Sequence, residues 1–137
     1  MNIPLRRLGK SDLQISPLGL GCWQFSKQAG LVGKYWPSLS DEDICKIVKA
    51  SIDGGINWFD TAEIYGRGKS EQCLANALKK NGVQPSETII ATKWWPIGRR
   101  ASSINSTIVK RLDNLNGYPI SLHQVHNPFG FSSVEKE

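Results

Sequence analysis

The chain has 137 residues, 39% hydrophobic and 21% charged, with a formal net charge of +5. That suits one soluble domain around a single core and excludes a disordered chain. No apolar run approaches the roughly 20 residues of a membrane span, and Met1-Asn2-Ile3-Pro4-Leu5-Arg6-Arg7 has no apolar stretch after its charges, so it does not read as a secretory signal. The basic pairs Arg6-Arg7, Lys79-Lys80 and Arg99-Arg100 are scattered and read as a solvated surface. Charge alone does not make a nucleic-acid interface. Cys22, Cys45 and Cys73 are odd in number and far apart, which points to free thiols in a reducing cytoplasm rather than to a disulfide frame or zinc site.

In chain order, Leu5–Leu8 and Leu13–Ser16 predict a small hairpin turned by Gly9–Asp12 and closed by Pro17. Leu18–Trp23 is a short apolar strand whose two glycines suggest a bulge or a close backbone approach. Residues 25–39 read as loop. Ser40 caps a helix with acids at 41–43 and an apolar face of Ile44, Ile47, Val48 and Ile52, stopped by Gly54-Gly55. A strand over 56–60 follows at once. Ser70 predicts the cap of a second helix, with Leu74, Ala77 and Leu78 inward and Gly82 as its end. Residues 88–94 form a buried-type strand. A third helix runs from about Ser103 to Leu115 on Ile104, Ile108, Leu112 and Leu115, stopped by Gly117. Residues 120–126 make a fourth strand, and the tail from Phe129 to Glu137 is short and polar. Strands alternating with helices predict α/β architecture with a parallel sheet, whose chemistry collects beyond the carboxyl ends of the strands.

Asp60, Tyr65, Lys93 and His126 lie at or just past those strand ends. A phenol is a poor acid at neutral pH unless a neighbouring ammonium lowers its pKa. Lys93 can do this, Asp60 can hold the lysine, and His126 can donate to a substrate carbonyl. Such a set suits carbonyl reduction, with the hydride taken from a cofactor. Singly, each has a plainer reading: a turn-capping aspartate, a packing tyrosine, a lysine meeting water. Their placement on consecutive strand ends favours the functional one. His123 and His126 fall on opposite faces of a strand, which argues against a metal site.

The sequence resembles the aldo-keto reductase family, NADP-dependent enzymes on a (β/α)8 TIM-barrel fold. The resemblance is carried by Leu8-Gly9-Lys10-Ser11, Leu18–Trp23, Gly54–Ala62 with Tyr65-Gly66 and Ser70-Glu71, Ile90–Lys93 and Leu122–His126. It implies a single domain over 1–137 that forms the N-terminal half of such a barrel: the hairpin, about four parallel strands and three helices. It implies NADPH-dependent reduction of an aldehyde or ketone, with Tyr65 as general acid, Lys93 lowering its pKa, Asp60 as that lysine's partner and His126 orienting the carbonyl. It places Gly21, Cys22, Trp23 and Asp60 near the nicotinamide of NADP(H). Trp23 and Trp94 are pocket walls or, equally, packing residues. Cys22 and Ser121 depart from the threonine and aspartate common in the family, which bears on substrate contacts rather than reaction type. The rest of the cofactor site is expected in the family's second half, since a full barrel needs about 250 residues. Four strands with open edges predict self-association. The alternative is an inactive half barrel that acts only through protein association.

Overall fold

Leu20–Gly21 (β3), Trp58–Asp60 (β4), Ile89–Trp94 (β5) and Leu122–Val125 (β6) pair in parallel in that order. This computed structural model describes residues 3–129 and 131; apart from Phe129 and Phe131, the tail expected from Phe129 to Glu137 lies outside the described residues. The register sets Gly21 beside Asp60, Asp60 beside Ala91 and Ala91 beside Leu122. Arg6–Arg7 (β1) and Gln14–Ile15 (β2) form the expected hairpin. The order is sequential, so each crossover adds the next strand, as in one half of a barrel.

Alternation along the strands decides what each face meets. Phe59 and Ile90 join Ile44, Val48, Leu74, Leu78 and Leu115 in the core between sheet and helices. Trp58, Asp60, Ile89, Ala91, Lys93 and Leu122 face the other way, around a cavity of about 320 Å³ bounded by Leu8 and Ile15 of the hairpin. Gly19 allows Trp58 to lie there: a Cβ on Gly19 would occupy the indole ring. The close approach predicted for that glycine is therefore present.

Helix α2 (Asp41–Asp53) starts where predicted, with Ser40 Oγ accepting from the Asp43 N–H at 3.0 Å. Its end is left-handed at Gly55, φ +86°. The loop expected over 25–39 instead starts inside a helical turn, Trp23–Ser26, and contains one turn of helix, Gly30–Gly33 (α1). Hydrogen bonds from Trp23 Nε1 to Val32 O and from Ser26 Oγ to Gly33 O tie them together.

Helices α3 (Lys69–Lys80) and α4 (Ser103–Leu115) correct two expectations. Ser70 does not cap α3. Gly68 holds that place, and the fully buried Ser70 Oγ reaches Cys22 O at 2.5 Å and Thr61 Oγ1 at 2.8 Å. On α4 the buried face is rotated: Leu112 is exposed, whereas Arg111 and Asn114 are buried. The reason is Glu71 of α3, which has no exposed surface. Its carboxylate accepts from Thr92 Oγ1 at 2.7 Å and Asn114 Nδ2 at 2.8 Å, and pairs with Arg111 Nε at 3.1 Å. A buried carboxylate without such partners would be prohibitively costly, so polar partners displace apolar side chains at this helix contact.

Candidate active site

Asp60 ends β4 and Lys93 is next to last on β5, both on the inner face. Lys93 Nζ donates to Asp60 Oδ2 at 2.8 Å and to Thr61 O at 2.9 Å. The lysine is thus fixed by one charged and one neutral acceptor. Tyr65 opens the turn Tyr65–Gly68 that follows β4. That turn runs left-handed through Gly66, Arg67 and Gly68, at φ +64°, +55° and +91°. A Cβ at Gly66 would run into the Ser26 backbone, so glycine lets the tyrosine turn dock against the turn after β3.

The Tyr65 ring is the meeting point. Lys93 Nζ lies 5.1 Å from its centroid. Trp23 is nearly parallel to it at 5.7 Å, and His126 stands edge-on at 5.4 Å. His126 follows β6, and its backbone N–H donates to Trp94 O at 3.0 Å. The four residues picked from strand ends therefore come together on one rim.

The electrostatics differ from expectation at one point. The Tyr65 phenol lies above its ordinary pKa, not below it: burial pushes it up first, and the Asp60 charge adds to this. Lys93 shares its charge with Asp60 at 2.8 Å, and an ion pair presents little net positive charge to the phenol. His126 is lowered, by burial first and by the Lys93 ammonium second, against the opposing pull of Asp60. Both shifts favour neutral groups: a protonated phenol and an uncharged imidazole with one N–H to donate.

Gly21 lies beside Asp60 with open space where a side chain would be. Cys22 is fully buried: its Sγ donates to Leu20 O at 3.5 Å, its backbone N–H donates to Asp60 O and its carbonyl accepts from Ser70 Oγ, so residue 22 presents no free surface to a ligand at this rim. Of the two readings of Trp94, pocket wall or packing, the structure has the packing one. It follows Lys93 directly and so points to the helix side, buried, with Nε1 donating to Ser103 Oγ at 3.1 Å. Of the Trp94-Trp95 pair, the one that joins Trp23 at the site is Trp95, edge-on to His126 at 5.3 Å. Alternation from Lys93 would have found it. Ser121 lies before β6 and bonds the Ile90 N–H, at the end of the sheet away from the rim, so its departure from the family pattern does not touch this site. Glu63 has no signal in the sequence. Its carboxylate accepts from the Trp95 N–H at 3.1 Å and from Arg99 Nη1 at 2.6 Å, and so fixes the Trp95 loop.

A model of the Aldo/keto reductase family matches residues 17–136. A Pseudomonas aeruginosa protein described as an aldo-keto reductase is 30% identical, with a TM-score of 0.73 over 90% of this chain and 47% of its own. A thermostable aldo-keto reductase solved with the inhibitor epalrestat is 28% identical, with a TM-score of 0.74 over 92% and 44%. An aldo-keto reductase of Klebsiella pneumoniae solved with NADPH shares the fold at 20% identity, with a TM-score of 0.71 over 92% and 40%. The chain thus spans less than half the length of these solved relatives. With its parallel half barrel and a family match that runs through every strand of the rim, the chain belongs to the aldo/keto reductase family.

Proposed function

We propose that this chain carries the proton-delivery half of an NADPH-dependent carbonyl reductase. The observation that supports this most is the convergence of Lys93, His126 and Trp23 on the Tyr65 ring, with Lys93 held by Asp60. The open rim beside Gly21, next to Asp60 and Trp23, suits a flat heteroaromatic ring, which the backbone can approach closely where there is no Cβ. NADPH bound there supplies the hydride that the side chains lack. The chain's own residues do the rest. His126, uncharged, donates an N–H to the carbonyl oxygen of an aldehyde or ketone. Tyr65 Oη gives its proton to that oxygen as negative charge develops on it. Lys93, its ammonium held by Asp60 and Thr61 O, stands beside the ring and keeps Asp60 paired as the proton leaves. The three free cysteines suit a reducing cytoplasm, where we place the protein.

A second reading is favoured by the sheet itself. Among the described residues, β3 and β6 each lack a strand partner on their outer side. In this reading the chain is inactive and acts by pairing with itself or another protein through those edges. Tryptophan fluorescence separates the two. Quenching by NADPH that saturates below millimolar concentration is expected for the reductase half. No quenching at millimolar NADPH, together with assembly in sedimentation velocity, would favour the associating half barrel.

A further inference from the structure

Beside the Tyr65 rim, and sharing Trp95 with it, a cleft of about 240 Å³ opens between the loops after β4 and β5, lined by Glu63, Ile64, Arg67, Trp95, Arg99 and Arg111. Its guanidinium groups outnumber the carboxylates within reach. Glu63 pairs with Arg99 at 2.6 Å and lies 3.7 Å from Arg111, and Glu71 pairs with Arg111 at 3.1 Å. Counting Arg67, Arg99 and Arg111 against Glu63 and Glu71 leaves one positive charge in excess. Glu63 does not block the cleft as an acceptor, because its Oε2 is committed to the Trp95 N–H and its Oε1 to Arg99.

Two further observations point to a ligand. Arg111 is 4% exposed; its Nε lies 3.1 Å from Glu71 and its Nη1 3.7 Å from Glu63, yet neither makes a directed hydrogen bond. Buried donors of a charged group are normally satisfied. Arg67, in turn, has no carboxylate partner among the described residues. It is held left-handed at φ +55°, a conformation that a non-glycine residue seldom adopts and that tends to mark functional loops.

We infer that this cleft is an oxyanion site that takes a phosphate group, with Arg67 and Arg99 at its mouth and Arg111 at its floor. Guanidinium forks match phosphate oxygens in pairs, which neither a lone lysine nor a helix end does. The inference goes beyond the proposed reductase chemistry and does not depend on it.

Calorimetric titration of the full chain with inorganic phosphate at low ionic strength tests it. Wild type should bind saturably at one site. Arg67→Gln/Arg99→Gln should weaken binding by about tenfold or more. Lys79→Gln/Lys80→Gln, which removes the same charge away from the cleft, should bind as wild type does. If the arginine pair variant does not fold by circular dichroism, Arg67→Gln alone serves, since it orphans no carboxylate. A parallel titration with glycerol 3-phosphate identifies the source: tighter binding than the free ion assigns the site to phosphate esters, and equal or weaker binding assigns it to inorganic phosphate. No saturable binding of either compound to wild type, undiminished binding by the arginine variant, or equal loss in the lysine variant would overturn the inference.

Discussion

His126 shows how one residue's surroundings set its chemistry. Burial and the Lys93 ammonium together lower its pKa below 6.5, and Asp60 only partly offsets them. A group whose pKa is lowered by folding contributes stability above its unfolded pKa and loses it as pH falls through the folded one. Wild type should therefore lose thermal stability, relative to His126→Gln, as pH falls from about 7.5 towards 5. Melting curves of the two proteins across that range measure this. A constant gap would mean that His126 keeps an ordinary pKa and can be charged at the rim. Glu71 needs the comparison with a variant rather than wild type alone, because burial raises its pKa despite Arg111 and it drives the pH trend the other way. That an ion-paired carboxylate is raised at all shows desolvation outweighing attraction in a dry setting.

At the scale of elements, the turn Tyr65–Gly68 decides whether the rim forms. Gly66 combines a left-handed backbone with contact against the Ser26 backbone. Gly66→Ala should cost about 2 kcal/mol or more, strain and displacement together. Urea unfolding gives this cost, and near-ultraviolet circular dichroism should show the stacking of Tyr65 on Trp23 disturbed. An unchanged unfolding midpoint would mean that the turn shifts freely and does not fix Tyr65. Much of this level was legible in the sequence. Ser40, the face of Ile44 and Val48, and the residues at the strand ends follow from capping and periodicity, which are local. What was not legible is set across the chain. Ser70 looks like a cap until the carbonyl of Cys22 and the hydroxyl of Thr61 come within reach. Arg111 looks like a surface residue on α4 until Glu71 is seen beneath it. Trp94 and Trp95 differ in role only through strand alternation continued past Lys93. The upward shift of Tyr65 comes first from burial of its ring and then from the Asp60 carboxylate, neither of which spacing reveals.

For the whole molecule, the parallel strands carry the rim residues, and the inner face around Trp58, Ile89 and Leu122 is lined but not filled. In the relatives, whose chains are about twice as long, more chain is available to face it. In the proposed reductase Tyr65, Lys93 and His126 all lie in this half, so the reaction should depend on Tyr65 whatever completes the barrel. The most direct measurement fuses residues 1–137 to the C-terminal half of a solved relative. NADPH-dependent aldehyde reduction is then compared with and without Tyr65→Phe. Loss of the acid should lower kcat by about 10²–10⁴-fold, the usual share of general acid catalysis, with KM little changed. A fused barrel that binds NADPH and reduces aldehydes equally well with phenylalanine at position 65 would contradict the assignment of Tyr65 as the proton donor.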